Sequence, residues 1–148
     1  MDRLINNECV VIYSVLASLS MDVNIIDKLY LFVVLTSDKA IRERLVEYTD
    51  YHSFIIQESS YYRAINRKFG EFQPMFLNAM TMLLLGGKIE KKDNGEYDLT
   101  VDGESMLLDI INHDDRILSK IRLAVINLRN ILGATSTKTL YKDLNIVL

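Results

Sequence analysis

The sequence predicts a mainly α, compact helical domain with one short β-hairpin, and three observations indicate this fold class. Apolar residues recur at spacings of three and four through most of the chain. Glycine and asparagine stand where helices and a turn are expected to end. The single proline, Pro74, lies near the expected start of a helix, where its missing N–H is tolerated. At 148 residues, with no repeat or linker, we expect one domain spanning residues 1–148.

The stretch from residue 69 to residue 100 carries the strongest local pattern. An apolar stripe begins at Phe72 and continues for about three turns. Three further apolar residues widen it: Leu77, Met82 and Leu85. We therefore expect this helix to be covered on most sides and to end at Gly86-Gly87. Residues 88–100 alternate in polarity around Asn94-Gly95, which predicts a hairpin.

A helix followed by a hairpin predicts a winged-helix-like unit, with the hairpin at about 88–100. Period-two alternation places Ile89, Tyr97 and Leu99 toward the core and the neighbouring lysines toward water. Further helices are expected at about 7–20, after Asp22, at 39–48, at 51–69 and, after the hairpin, from Asp102. Asn6 or Asn7 should cap the first of these helices, and Asp22 the second. The first is apolar nearly all round and should be central.

In the third helix, 39–48, the side chains of Ile41 and Leu45 should point inward, whereas Arg42 and Arg44 should lie in water. Its start is marked by Ser37-Asp38, whose side chains are typical N-caps.

The C-terminal helix and tail, residues 115–148, predict a contact surface. Apolar residues of the helix 116–132 follow a coiled-coil-like spacing, Gly133 ends it, and Thr135 or Ser136 caps a short helix. The apolar end of the chain should dock. The candidate partner-binding residues are Leu128, Leu132, Leu140, Tyr141, Leu144 and Ile146. The alternative is that the apolar seam of 116–132 packs against the first two helices of the same domain.

Nucleic-acid binding has a weaker basis. The chain has a net charge of -3 and a pI near 5.4, so it lacks an overall basic footprint. No arginine or lysine lies between Pro74 and Leu85, so the helix before the hairpin cannot read bases. The candidate phosphate contacts are Arg63, Arg67, Lys68, Lys91 and Lys92. The alternative is a solvated, charged hairpin.

Catalysis is the least favoured class, and we expect no catalytic residues, cofactor, metal or small-molecule substrate. The sequence lacks a nucleophile elbow and a phosphate-binding loop. His113-Asp114-Asp115 is typical of a solvated helix cap. The single cysteine, Cys9, excludes an internal disulfide. With neither a secretory signal nor a membrane span, we expect a cytoplasmic protein.

Several short runs of the sequence resemble one family. They are 62–69 (YRAINRKF), 72–74 (FQP), 79–89 (AMTMLLLGGKI), 131–133 (ILG) and 139–146 (TLYKDLNI). They resemble the small middle components of three-component ABC-ATPase systems, which include the small subunit of Lamassu-type bacterial anti-phage defence. The chain departs from that pattern at Asn7-Glu8, where the family often has Asn-Pro, and at its final residues, where the family often has Gly-Val/Ile-x-Pro. The best-matching positions, Arg67, Gly133, Tyr141 and Leu144, have structural or interfacial roles in this interpretation.

The resemblance implies a non-catalytic bridging subunit. Its partners would be a dimeric SMC- or Rad50-like ATPase and an effector such as a nuclease, with DNA reached through the complex. The alternative function is a small winged-helix transcriptional regulator that dimerises through its first and last helices. A small hydrolase would require a pocket of converging polar groups, which the sequence does not indicate.

Overall fold

The computed structural model describes residues 7–113 and 116–147. Within these ranges it contains eight helices and one two-stranded antiparallel hairpin, so the mainly α fold class is confirmed. The elements are α1 (Asn7–Ser20), α2 (Ile26–Ser37), α3 (Lys39–Leu45), α4 (Tyr51–Ser59), α5 (Tyr62–Leu85), β1 (Ile89–Lys91), β2 (Tyr97–Leu99), α6 (Val101–Asn112), α7 (Arg116–Leu132) and α8 (Thr137–Asp143). None of the described helices is long and apolar enough to cross a membrane.

The core is built around α1 and α2. α1 packs against α2, α5 and α7. Every residue from 14 to 19 in α1 and from 31 to 37 in α2 is buried. Such complete burial requires partners for polar groups, and the Ser37 hydroxyl donates to the Ser14 hydroxyl at 3.0 Å. The predicted central position of the first helix is confirmed.

The boundary between α4 and α5 differs from the prediction. We expected one helix over 51–69 and another starting near Pro74, but α4 ends at Ser59 and α5 continues from 62 to 85 through the proline. The buried stripe of Phe69, Phe72 and Phe76 passes the proline without a break. Burial of these aromatic rings outweighs the one backbone hydrogen bond that proline removes, and Pro74 itself points to solvent.

The hairpin forms as predicted. α5 ends in a glycine-dependent cap: Gly87 has φ +71°, and Lys88 N–H donates to Leu83 C=O at 2.9 Å. β1 and β2 pair with Ile89 opposite Leu99, and Gly95 supplies the positive φ, +87°, at the end of the connecting turn. Ile89 is buried. Tyr97 and Leu99 are half-buried against the core, as expected.

Asn24, in the connection between α1 and α2, holds the hairpin to the helical core. Its carbonyl accepts from Tyr97 N–H at 2.9 Å, and its side-chain amide donates to Tyr97 C=O at 2.6 Å. The prediction that Asp22 caps the second helix is wrong. Asp22 has φ +63°, and α2 begins after Ile25 without a side-chain cap. The chain therefore uses this segment to hold β2 rather than to start a helix immediately.

α6 begins earlier than predicted because Thr100, not Asp102, is its N-cap. The Thr100 hydroxyl accepts from Gly103 N–H at 3.1 Å and donates to Gly87 C=O at 2.5 Å. Gly103 lies against the backbone of Lys88: a Cβ built on it would be 1.9 Å from the Lys88 carbonyl oxygen. Glycine at 103 thus permits α6 to approach the base of the hairpin.

The C-terminal elements follow the prediction closely. α7 has the predicted bounds, Gly133 ends it with φ +53°, and the Ser136 hydroxyl caps α8 by accepting from Thr139 N–H at 3.2 Å. Three expectations concern residues outside the described ranges: an N-cap at Asn6, the cap cluster at Asp114-Asp115, and docking of the terminal Leu148.

Candidate interaction surfaces

Most of the predicted partner-binding residues lie in the interior of this domain. Five of them are buried: Leu128, Leu132, Leu140, Leu144 and Ile146. The sixth, Tyr141, is half-buried and packs edge-on against the Phe69 ring, with centroids 5.8 Å apart. α7 packs on α1, α2 and α3. The expectation of an exposed surface at these leucines is therefore corrected, and the alternative of packing within the domain is the observed arrangement.

The C-terminal tail docks through polar contacts as well as burial. The Asn66 side-chain amide donates to Asn145 C=O at 2.9 Å, and its carbonyl oxygen accepts from Val147 N–H at 2.8 Å. Tyr51 donates to Asp143 at 2.6 Å. α8 and the residues after it are thereby held to α4 and α5, and the predicted docking of the tail is confirmed as far as residue 147.

The outer side of α5 is an exposed apolar surface, which we call the α5 face. It is defined by Leu77, Met82 and Leu85, which are 57%, 58% and 85% exposed. No charged residue occurs between Glu71 and Lys88. The expectation that this helix is covered on most sides is wrong for the isolated chain, since only the inner stripe through Leu83 is buried. The sequence pattern identified these apolar residues, but the prediction that other parts of the chain cover them is wrong.

The candidate phosphate contacts on α5 are already occupied by neighbouring groups. Arg67 pairs with Glu71 at 3.5 Å, and Lys68 lies 3.4 Å from both Asp38 and Glu71. The Arg63 guanidinium lies beside the ring of Tyr62, 5.6 Å from its centroid. The carboxylates of Asp38 and Glu71 reduce the net positive charge available at this end of the helix.

The hairpin lysines form a second, separate group. Lys92 contacts Asp98 at 2.5 Å, and this hydrogen bond raises the pKa of Lys92. The Lys91 ammonium lies 5.8 Å from the centre of the Tyr97 ring. Arg67 and Leu85 lie about 27 Å apart along α5, at 1.5 Å per residue, and the hairpin that carries Lys91 and Lys92 follows the Leu85 end of this helix. The five candidates therefore do not form one continuous basic patch.

A buried polar cluster joins α3 to α4, and the sequence patterns did not predict it. Arg44 forms a two-point ion pair with Glu58, whose side chain is fully buried, and the Tyr48 hydroxyl also donates to that carboxylate. The hydrogen bond to Glu58 raises the pKa of Arg44, while burial, followed by the bond to Glu58, raises that of Tyr48. The expectation that Arg44 lies in water is corrected.

Arg42 is also buried, at 6% exposure, although the pattern placed it in water. One guanidinium nitrogen donates to Thr36 C=O at 2.8 Å and to Ser37 C=O at 3.0 Å. These carbonyls belong to the last turn of α2, where a cation is favoured by the helix dipole. A periodicity argument cannot detect this role because it depends on the turn between two helices.

The histidines have local surroundings. His113 Nδ1 lies 2.6 Å from Asp109 C=O at the end of α6, and His52 is exposed on α4. In the part of the chain that the structure describes, no three His, Cys, Asp or Glu residues are grouped so that they could hold a metal ion. Comparison with protein-family models, with curated proteins and with solved structures gives no match for this chain.

Proposed function

We propose that this protein is a non-catalytic, cytoplasmic interaction subunit that bridges an SMC/Rad50-like ABC ATPase to an effector, such as a nuclease, in a bacterial anti-phage or anti-plasmid defence complex. The α5 face is the observation that carries the interaction role. The resemblance of residues 62–89 and 131–146 to the middle components of such systems supplies the identity of the partners. DNA is reached through the complex.

The exposure of the α5 face supports a protein partner for a physical reason. Leu85 alone exposes 85% of its surface, and burying a leucine side chain is worth about 1.5–3 kcal/mol. Leu77 and Met82 extend the apolar area along the same outer side of the helix. Exposed apolar side chains grouped on one helix are typical of protein interaction sites, whereas single exposed ones are ordinary.

The regulator alternative receives no comparable support. A winged-helix regulator needs a basic surface that meets the phosphates on both sides of the reading helix. Here the cations of α5 and those of the hairpin are separated, and Arg67, Lys68 and Lys92 each contact a carboxylate.

The proposal is tested by affinity purification of the tagged chain from its native host at moderate salt, with the co-purifying chains identified by mass. We expect a large coiled-coil ATPase and a second, effector-like chain. Leu85→Glu should remove one of them, because a charge at the most exposed position of the α5 face opposes its burial.

Leu108→Glu is the control, since Leu108 on α6 is likewise an exposed leucine, at 57%, but lies outside the α5 face. It should retain both co-purifying chains. Recovery of only the chain itself, bound to DNA as a dimer, would replace the bridging proposal by the regulator. If the Leu85→Glu variant still recovers both co-purifying chains, the α5 face is not the surface that binds them.

A further inference from the structure

A groove of about 570 Å³ lies beside α1, between α5 on one side and α3 with α7 on the other. It is distinct from the α5 face, and its apolar lining comes from three helices and the residue that follows α3. The apolar lining residues are Val10, Val46, Phe72, Met75, Ile117 and Leu123. The volume falls within the range of pockets that bind ligands in proteins, about 300–1,000 Å³.

The groove is lined by exposed as well as buried apolar side chains. Two of its apolar wall residues, Val46 and Leu123, are 40% and 57% exposed, whereas Phe72, on the α5 side, is 5% exposed. A small-molecule site buries most of the ligand surface, about 70–90% of it. A groove with a buried apolar side chain and partly exposed apolar walls can receive the apolar face of an amphipathic helix.

The charges around the groove differ from those of the chain as a whole. Four lining side chains are basic and three are acidic, although the chain has a net charge of -3. Among the described residues, neither Lys39 nor Lys120 has a carboxylate within ion-pair distance, while Lys68 is paired with Asp38 and Glu71. The two lysines come from α3 and α7, and they outnumber Glu43, an exposed acid of the lining one turn from Lys39, so the edge has a net positive charge.

We propose that this groove binds an amphipathic helix of a protein partner whose apolar stripe is bordered by acidic residues. The apolar stripe packs on Phe72, Met75 and Leu123, and the acidic border meets Lys39 and Lys120. Charge complementarity of this kind fixes the orientation of a helix in a groove and raises its rate of association. The inference rests on the proposed function, because a bridging subunit requires a second contact surface apart from the α5 face.

The test uses the full chain as bait for a displayed library of amphipathic 18-residue helices with leucines at i, i+3, i+4 and i+7 and randomised flanking positions. We expect enriched peptides to carry glutamate or aspartate along one edge of the stripe. Their affinity is then measured by fluorescence anisotropy of a labelled synthetic copy.

Leu123→Asp should weaken binding of the enriched peptide at least tenfold, and the double variant Lys39→Glu/Lys120→Glu should reverse the preference toward a matched peptide with lysine borders. Leu85→Glu, on the α5 face, should leave the peptide affinity unchanged. Far-UV circular dichroism of each variant checks folding, and the charge-reversal pair keeps the test valid if Leu123→Asp fails to fold.

Three results would overturn the proposal. The first is enrichment without an acidic border. The second is binding that is lost with Leu85→Glu and retained with the groove variants. The third is peptide binding only after removal of residues 1–6, which would assign the groove to the N-terminus of this chain. Loss of the co-purifying ATPase with Leu85→Glu, together with failure of peptide selection, would leave the proposed function intact and reject the groove.

Discussion

Arg44 and Glu58 form a two-point ion pair in which Nε and Nη2 of the arginine each lie 2.8 Å from a carboxylate oxygen. The Glu58 side chain is fully buried, and Arg44 is 27% exposed. The same guanidinium lies 4.2 Å from the centre of the Tyr61 ring, at the start of α5. One arginine thus connects α3, α4 and α5, and the buried carboxylate depends on it for its charge balance.

Replacing Arg44 by methionine should strongly destabilise the fold. The substitution leaves Glu58 buried without its cation, and loss of one partner of a buried pair lowers the free energy of unfolding by about 3–5 kcal/mol. Urea denaturation followed by far-UV circular dichroism measures this change.

The double variant Arg44→Met/Glu58→Leu should recover most of the lost stability, because it removes the buried charge together with its partner. Arg63→Met is the surface control and should change stability by less than about 0.5 kcal/mol. A single Arg44→Met variant as stable as the Arg63→Met control would show that Glu58 does not depend on its ion pair.

The sequence predicts features that depend on local patterns, but it does not predict the Arg44–Glu58 pair. The central first helix, the glycine end of α5, the hairpin and a cap at Thr135 or Ser136 follow from local spacing and residue type, and each was predicted. The Arg44–Glu58 pair joins residues whose helices meet only in the tertiary fold. Local patterns therefore assign Arg44 to solvent, because its position on α3 alone gives no sign of the buried carboxylate.

The candidate surfaces show a related difference. Periodicity identified the apolar residues of both α5 and α7, yet Leu128 is buried and Leu85 is 85% exposed. The distinction depends on which side of each helix meets the rest of the domain. Leu128 lies on the side of α7 that packs against α1, α2 and α3, whereas Leu85 lies outside the inner stripe of α5 that is buried. The predicted helix boundary near Pro74 is wrong. Burial of the aromatic stripe on both sides of Pro74 outweighs the tendency of proline to interrupt a helix.

Asn66→Ala should loosen the C-terminal tail without unfolding the domain. Both tail hydrogen bonds of Asn66 are lost, so the Val147 amide should exchange with solvent at least tenfold faster. Buried Leu144 and Ile146 remain in place, so the free energy of unfolding should fall by only about 1–2 kcal/mol. Amide hydrogen exchange followed by NMR measures the first effect and urea denaturation the second.

Asn78→Ala is the control, since Asn78 is an exposed amide on the same helix and should leave tail exchange unchanged. Asn66→Asp refines the test. It keeps an acceptor for Val147 N–H but places a carboxylate oxygen against Asn145 C=O, so exchange should be faster than in the unsubstituted chain. Equal exchange rates in all four proteins would exclude the role of Asn66 in holding the tail.

Stability should fall at alkaline pH, partly because of Tyr30. Burial raises the pKa of Tyr30 to about 12 from its ordinary value of 10.0, and its hydroxyl donates to Phe69 C=O. The unfolded chain releases this proton above pH 10 while the folded chain retains it. The stabilisation is therefore complete below pH 10 and is lost as pH rises from 10 to 12.

Urea denaturation at pH 8, 9, 10 and 11 tests this dependence. Tyr30→Phe should show a shallower decline above pH 10 than the unsubstituted chain. Burial also raises the pKa values of Tyr48, Tyr51 and Tyr141, so part of the decline should remain. Tyr62→Phe, at an exposed position, is the control and should reproduce the original slope. A Tyr30→Phe slope equal to that of this control would contradict the assignment.

Two glycine-to-alanine substitutions should change stability in opposite directions. At Gly103 a new Cβ would lie 1.9 Å from the Lys88 carbonyl oxygen and 3.3 Å from the Leu99 side chain. The first turn of α6 must then move away from the hairpin, at a cost of about 1–3 kcal/mol, typical of overpacking. At Gly70, within α5, a Cβ would meet nothing within 4 Å. Alanine there should stabilise the helix by about 0.5–1 kcal/mol.

Thermal and urea unfolding of the two variants measure these signs directly. Both glycines lie in helices, so alanine's higher helix propensity contributes to both variants. The difference between their changes in the free energy of unfolding therefore reports the contact of α6 with the base of the hairpin. Destabilisation by Gly103→Ala should also weaken protection of the Thr100 amide, which donates to Lys88 C=O at 3.0 Å. Stabilisation by both substitutions would mean that α6 does not approach the hairpin as closely as the 1.9 Å contact requires.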